Sequence, residues 1–352
     1  MKAFLAGGGT LGPVTALLAV AEVLRDRGME CVFVGTRSGP DGPFVRAAGF
    51  EHRTLPVAKL RRGFSLSNLR LPLDLARAYR RAAKLIQHES PSVVVSAGGF
   101  TAVPLGWAAH RRGIPLVLHQ QDVRLSLSNR LLASRATRIT AALPASVMDF
   151  SGLSVSVTGN PVRASMFGGD GRKGMARFGF DSSRPLLVVI GGGTGSARLN
   201  LLVVAALPEL LQFTQVLHVV AHGRGLPALE RMGYRSVPAL TLELPDVFAA
   251  ASVLLCRSGF GTLSEVAQRD TPALVVPMPH SHQEANARVF EAAGAITVAA
   301  QSELGPLELV RRVRNLLDAD RAELARRRTP FHWRGAASAV ADVVMEASRH
   351  GK

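Results

Sequence analysis

Gly191, Gly192, Gly193, Thr194, Gly195 and Ser196 stand directly after the apolar run LLVVI and before a helix-like segment. Such a loop brings backbone amides, two hydroxyls and a helix amino terminus to one point, a cradle for a departing diphosphate. It lacks the Lys-Ser/Thr ending of a P-loop, which argues against ATP hydrolysis of that type. Gly7, Gly9 and Gly12 satisfy G-x-G-x-x-G after another apolar run. That pattern reads equally as an anion-binding loop or as a tight turn. A dinucleotide enzyme needs an acid at the end of its second strand for the ribose hydroxyls. Here that strand ends Val34-Gly35-Thr36-Arg37, which leaves an NADP-type dehydrogenase as a minor alternative.

A third glycine turn lies in CRSGFGTLSEVA, where Arg257 and Ser258 leave a strand and Glu265 enters a helix. A carboxylate there can accept both hydroxyls of a ribose, or it can be an ordinary capping or surface glutamate. His280, His282, Gln283, Glu284 and Asn286 cluster a little further on. Two histidines one residue apart make an incomplete metal-ligand set, so no metal is expected and hydrogen bonding to sugar hydroxyls is the favoured role.

The segment KLRRGFSLSNLRLPLDLARAYRRAAK mixes Lys59, Arg61, Arg62, Arg77, Arg80 and Arg81 with Phe64, Leu73 and Tyr79. This composition suits a surface resting on anionic lipid, and equally a solvated basic helix with one buried face. The chain carries 42 basic against 26 acidic residues, a formal charge of +16, so phosphates, nucleic acid and anionic headgroups are all electrostatically admissible partners. Two tryptophans and two tyrosines give little material for base stacking, which sets nucleic acid behind the membrane.

The elements that must position these residues follow from periodicity. KAFLAGGGTLGPVTALLAVAEVLRDRG reads strand, glycine loop and helix, and RPLLVVIGGGTGSARLNLLVVAALPELL repeats the pattern. Two such starts in 352 residues predict two Rossmann-like α/β domains, 1–160 and 161–352, with a boundary at Gly159-Asn160-Pro161. Further strands are expected at 31–35, 93–96, 116–119 and 155–158, then at 216–220, 253–256 and 273–276. The amphipathic stretch 336–349 either closes the second domain or crosses back to the first. Cys31 and Cys256 sit inside apolar runs and read as buried thiols of a reducing compartment. The amino terminus reads as a first strand rather than a secretory leader, and apolar runs stop short of the ~20 residues of a spanning helix. Any membrane contact is therefore expected to be peripheral.

Together the motifs resemble the MurG family, the N-acetylglucosaminyltransferases that convert lipid I to lipid II in peptidoglycan synthesis. The likeness spans nearly the whole chain. It rests on the first glycine loop, Gly98-Gly99-Phe100, His119-Gln120-Gln121-Asp122, Ser128-Asn129, Gly159-Asn160-Pro161-Val162-Arg163, the second glycine loop through Asn200, CRSGFGTLSE, and His282-Gln283-Glu284-Ala285-Asn286. The resemblance implies a GT-B architecture, two Rossmann-like domains separated by a cleft, and an inverting transfer with no cofactor and no obligatory metal. It implies UDP-GlcNAc as donor, held by Arg163, Gly193, Thr194, Gly195, Ser196, Arg257, Ser258, Glu265, Gln283 and Glu284. The acceptor would be a polyprenyl-linked lipid I, held by Gly9, Thr10, Leu11, Gly12, Gly98, Gly99, Phe100, Asp122 and Asn129. Implied too are a peripheral place on the cytoplasmic face of the bacterial plasma membrane and other wall-synthesis and division proteins as partners.

The chain departs from the family on the acceptor side. Pro13 stands where the family has a histidine often proposed as base, Leu11-Gly12 replaces Gly-Gly, and His-Gln-Gln-Asp replaces His-Glu-Gln-Asn. Phe100 replaces a tyrosine and Gly193 a serine. Asp122 and His119 are the substitute bases expected from their position. The alternatives are a related GT-B transferase with another lipid or glycoside acceptor, and a weakly catalytic UDP-sugar or membrane-binding scaffold.

Overall fold

The computed structural model describes residues 1–57, 71–221 and 231–349. Lys59, Arg61, Arg62 and Phe64 lie outside the described residues. Two compact units are present, unit 1 comprising Met1–Arg163 with Trp333–Lys352 and unit 2 comprising Ala164–His332.

Unit 1 runs β1 (Lys2–Ala6), α1 (Leu11–Asp26), β2 (Glu30–Thr36), α2 (Asp41–Ala47), β3 (Glu51–Leu55), α3 (Leu71–Glu89), β4 (Val93–Ser96), α4 (Ala102–His110), β5 (Leu116–Gln120), α5 (Leu127–Leu132), β6 (Arg138–Ala141) and β7 (Val155–Val157). Its strands form one parallel sheet in the order β3-β2-β1-β4-β5-β6-β7. Side chains alternate across a strand, so a strand covered on both sides must be apolar throughout. In β1, Ala3 and Leu5 pack with Val14, Leu17 and Leu18 of α1, while Phe4 and Ala6 pack with Ala82 and Ile86 of α3 and Leu105 of α4.

Unit 2 contains α6 (Gly171–Arg177), β8 (Leu186–Ile190), α7 (Ala197–Leu210), β9 (Gln215–Val219), β10 (Tyr234–Val237), α8 (Leu244–Ala250), β11 (Val253–Cys256), α9 (Phe260–Ala267), β12 (Ala273–Val275), α10 (His282–Ala292), β13 (Thr297–Val298), α11 (Pro306–Leu317) and α12 (Arg321–Arg328). Its parallel sheet has the order β10-β9-β8-β11-β12-β13. Arg328 braces this unit from inside. Its fully buried guanidinium donates to the carbonyls of Ala295, Val266, Arg269 and Thr271, holding α9 and the approach to β12 and β13 in register. Burial lowers its pKa to about 10, and it remains charged at neutral pH.

The last helix, α13 (Ala336–Arg349), belongs to unit 1: Val340, Ala341, Val344 and Ala347 enter the same core cluster as Leu5 and Leu17. Trp333, where the chain re-enters unit 1, covers Gly159, whose φ of +78° and lack of a side chain leave room for the indole.

Four strands were not anticipated: β3, β6, β10 and β13. Three of them are sheet edges, where one side of the strand stays open. β3 (EHRTL) and β10 (YRSV) accordingly lack the apolar runs that mark central strands. Helix α3 buries Ala78, Ala82 and Ile86 at i, i+4 and i+8 and turns Leu73, Arg77, Arg80 and Arg81 outward. Charge is uneven between the units, with 24 basic against 11 acidic residues in unit 1 and 18 against 15 in unit 2.

Candidate active site

Both sheets share one arrangement, with the strand order reversing direction between β1 and β4 in unit 1 and between β8 and β11 in unit 2. Crossovers on the two sides of such a point leave to opposite faces, and the crevice at the carboxyl ends of the strands is where ligands bind in open α/β sheets. The glycine loops flank these points. In unit 1 they follow β1 and β4; in unit 2 they follow β8 and β11.

In unit 1 the two loops pack against each other. Phe100 N–H donates to Gly8 O at 3.3 Å, and the Phe100 ring lies over Gly9, where a Cβ would come within 2.3 Å of the ring. A Cβ on Gly99 would meet Gly8 O at 2.7 Å, and Gly9, Gly98 and Gly99 all have positive φ. These three positions therefore admit only glycine without a shift of backbone. Thr10 caps α1 without a side-chain bond, so its hydroxyl does not take up the first amides of the helix. Space beside Gly12 is open. Pro13, in the first turn of α1, has no N–H to offer and costs the helix no bond there.

Asn129 is buried and held in one orientation. Its Nδ2 donates to His119 O and Gln120 Oε1, which aims Oδ1 toward Gly98. Among the described residues that oxygen has no hydrogen-bond partner, and the hydroxyls of Ser126 and Ser128 line the same space. Gly98, Gly99 and Asn129 thus come together at one place, with Phe100 beside them. The half-buried Asp122 sits just beyond β5, its carbonyl accepting from Gln120 Nε2 at 2.7 Å and Ser146 Oγ at 3.1 Å.

His119 is a correction. The ring is 1% exposed, with Nδ1 2.9 Å from Thr140 Oγ1 and Nε2 3.2 Å from Asn160 Oδ1. Burial lowers its pKa to about 4, against a smaller upward push from Asn160. A neutral ring with both nitrogens engaged inside the core cannot collect a proton from a substrate hydroxyl, so His119 is structural. Arg163 is the last residue of unit 1, with its guanidinium 5.4 Å over the Phe44 ring.

In unit 2 the loop after β8 turns through Gly192 and Gly195, both at positive φ, with Gly195 N–H donating to Gly192 O. Gly193 and Thr194 are exposed at its tip, and Ser196 caps α7 by accepting from Leu199 N–H. Arg257, 8% exposed, donates to Val276 O, Pro277 O, Ser196 Oγ and Gln301 Oε1. Burial lowers its pKa. The fully buried Ser258 hydroxyl donates to Gln283 O, and Asn286 Nδ2 donates to Ser258 O. Arg257 and Ser258 tie the loops after β8, β11 and β12 together. Glu265 lies on α9, 7% exposed. Gln283 and Glu284 open α10, their side chains accepting from the amides of Met278 and His280.

Residues that sequence reasoning passed over include Gln301, which completes the Arg257 brace, and Asp41, whose carboxylate accepts from Gly9 N–H. Neither lies in a recognisable motif; each reaches the loops across a long sequence separation.

Two parallel α/β units in Rossmann order, each with glycine loops at its switch point, are the two halves of a GT-B architecture. Residues 3–141 match the glycosyltransferase family 28 N-terminal domain and residues 186–344 the glycosyltransferase family 28 C-terminal domain. The chain is 32% identical over 319 residues, 89% of this chain and 90% of the relative, to the UDP-N-acetylglucosamine--N-acetylmuramyl-(pentapeptide) pyrophosphoryl-undecaprenol N-acetylglucosamine transferase of Lachnoclostridium phytofermentans. It is 31% identical to the enzyme of the same name from Clostridium kluyveri, over 90% of this chain and 91% of that one. The crystal structure of Acinetobacter baumannii MurG superimposes with a TM-score of 0.67 at 22% identity, covering 98% of this chain and 99% of that one. The chain belongs to the MurG family of glycosyltransferase family 28.

Proposed function

We propose that this chain transfers GlcNAc from UDP-GlcNAc to undecaprenyl-pyrophosphoryl-MurNAc-peptide, lipid I, giving lipid II for peptidoglycan. The observation that carries the proposal is identity above 30% across about nine-tenths of the chain to relatives named for this reaction. The glycine loops at the switch points of both units support it. In unit 2 the amides of Gly193, Thr194 and Gly195 and the amino terminus of α7 hold the UDP diphosphate, a group that the family resemblance assigns to Arg163 as well. Glu265 accepts the ribose hydroxyls, and Gln283 with Glu284 bonds the GlcNAc hydroxyls. In unit 1 the amides of Thr10, Leu11 and Gly12 and the loop Gly98-Gly99 receive the acceptor pyrophosphate, and Asn129 Oδ1 accepts from an acceptor donor group.

The transfer is a single displacement with inversion. The acceptor hydroxyl attacks the anomeric carbon from the face opposite UDP, and the bond to the β-phosphate oxygen breaks with its electron pair leaving on the phosphate. Fixed amides at that phosphate stabilise the developing charge in the transition state more than the ground state. Asp122 takes the hydroxyl proton. No metal is required in this scheme. Radiolabelled GlcNAc transfer from UDP-GlcNAc to a lipid I analogue in detergent is expected to proceed equally with and without magnesium. Donor binding without product would move the assignment to another acceptor or to a scaffold.

The chain works at the cytoplasmic face of the membrane, held peripherally, alongside other enzymes of wall synthesis and division. Among the described residues no helix is long and apolar enough to cross a bilayer. The outward side of α3, with Leu73 62% exposed beside Arg77, Arg80 and Arg81, supports docking on anionic lipid. At about 1 kcal/mol per basic residue near such a surface, the triple variant Arg77→Glu/Arg80→Glu/Arg81→Glu should lose at least roughly tenfold in partitioning to phosphatidylglycerol vesicles. Equal flotation of variant and parent would remove α3 from the docking surface.

A further inference from the structure

Beneath the first glycine loop of unit 1 lies a buried carboxylate that the proposed chemistry does not use. Asp41, the first residue of α2, has no exposed surface. Its Oδ2 accepts from Thr36 N–H at 2.6 Å and lies 3.3 Å from His52 Nε2. Its Oδ1 accepts from the Thr36 hydroxyl at 2.7 Å and from Gly9 N–H at 3.3 Å. Space has been cleared for this group. A Cβ on Gly35 would lie 2.1 Å from Oδ2, and one on Gly39 would lie 2.1 Å from Oδ1. The Thr36 hydroxyl, having donated to the carboxylate, accepts from Gly39 N–H at 3.0 Å. Burial pushes the carboxyl up, but the bonds from His52 and Thr36 outweigh it and hold the pKa at about 2.

A buried anion next to a loop that receives phosphate opposes that phosphate by simple repulsion. Its presence is explained by geometry instead. Gly9, at φ +96°, is gripped by the carboxylate at its amide and covered by the Phe100 ring, while Phe100 N–H ties the second loop to Gly8. We propose that Asp41 is a positioning residue for the transfer reaction, clamping the β1–α1 loop so that the amides following Gly9, and not that of Gly9 itself, are presented to the acceptor pyrophosphate. This rests on the functional reading given above. The Gly9 amide is already committed to Asp41, so the loop meets the phosphates with the start of α1.

Asp41→Asn weakens the clamp while keeping the size and shape of the side chain. The amide is isosteric, its oxygen can keep the short bond from Thr36 N–H, and the Thr36 hydroxyl can turn to accept from its NH2. That orientation sets the NH2 against Gly9 N–H, so the loop bond is lost, together with the charge that faces His52 and the acceptor of the Thr36 hydroxyl proton. Glu89→Gln is the control: it weakens the half-buried pairs with Lys2 and Arg53 in the same unit without touching the loop. In the full chain, Asp41→Asn should speed amide hydrogen exchange across residues 7–12 by roughly tenfold and raise the lipid I analogue KM by a similar factor. The UDP-GlcNAc KM should stay within about twofold. If Asp41→Asn does not fold, Thr36→Val, which removes one donor to the carboxylate, is expected to give the same pattern in weaker form. Exchange and acceptor KM indistinguishable from those of Glu89→Gln would overturn the clamp. Should the parent protein transfer nothing, the functional reading fails, and the exchange comparison alone still decides whether Asp41 holds the loop.

Discussion

Asp122→Asn is expected to lower kcat for transfer to a lipid I analogue by about 100- to 1,000-fold, the usual worth of a general base, while leaving the dissociation constant for UDP-GlcNAc unchanged. The expectation follows from elimination among groups at one end of one sheet. Pro13 cannot take a proton, and His119 is sealed in the core with both ring nitrogens engaged. Asp122 is half-buried at the carboxyl end of β5, and the side chains of Gln120 and Ser146 fix its backbone carbonyl. An amide keeps the size and polarity of the carboxylate but cannot accept the proton, so a fall in kcat with donor affinity intact isolates the chemical step. Equal rates for the two proteins would eliminate Asp122 as the base. A raised UDP-GlcNAc dissociation constant would instead point to a role in the donor complex.

The central strands and glycine loops were legible in the sequence because their physics is local. LLVVI and the three valines of β4 are apolar because helices cover both faces, and each glycine loop follows within a few residues of its strand. The edge strands were not legible because an open side tolerates EHRTL or YRSV. Site residues divided the same way. The loop glycines carry their backbone requirement in their own residue type, whereas the bracing of the loops by Arg257 and Ser258 depends on bonds to Ser196, Gln301 and Gln283 that residue type does not reveal. Thr36-Arg37 at the end of β2 offers no acid, yet Asp41 supplies a carboxylate five residues past Thr36 and directs it to Gly9, 32 residues away in sequence. Spacing rules written for a ribose partner do not register a carboxylate spent on the protein's own loop.

Resistance to acid should fail well above the range where carboxylates protonate, and two buried histidines set the window. His119 in unit 1 and His218 in unit 2 each have their pKa lowered to about 4, in both cases chiefly by burial. His218 is fully buried, with Nε2 3.1 Å from Asn200 Oδ1 and Nδ1 3.2 Å from the Tyr234 hydroxyl. In the unfolded chain these rings protonate near their ordinary value of about 6.5, so between about pH 6.5 and 4 the unfolded state binds more protons than the folded one. Stability is therefore complete above the unfolded value, is lost as pH falls toward 4, and changes no further through these groups below it. A shift of this size corresponds to roughly 3 kcal/mol per ring, a large part of the stability of an ordinary domain. The units can be read separately because Trp107 and Trp333, the two tryptophans of the chain, both belong to unit 1. Urea unfolding followed by tryptophan fluorescence should lose stability steeply from pH 6.5 to 4, and His119→Gln should flatten that slope. His218→Gln should leave the fluorescence slope in place and flatten the slope of unit 2 seen by circular dichroism. A fluorescence slope unaltered by His119→Gln would mean that another group of unit 1 takes up the proton.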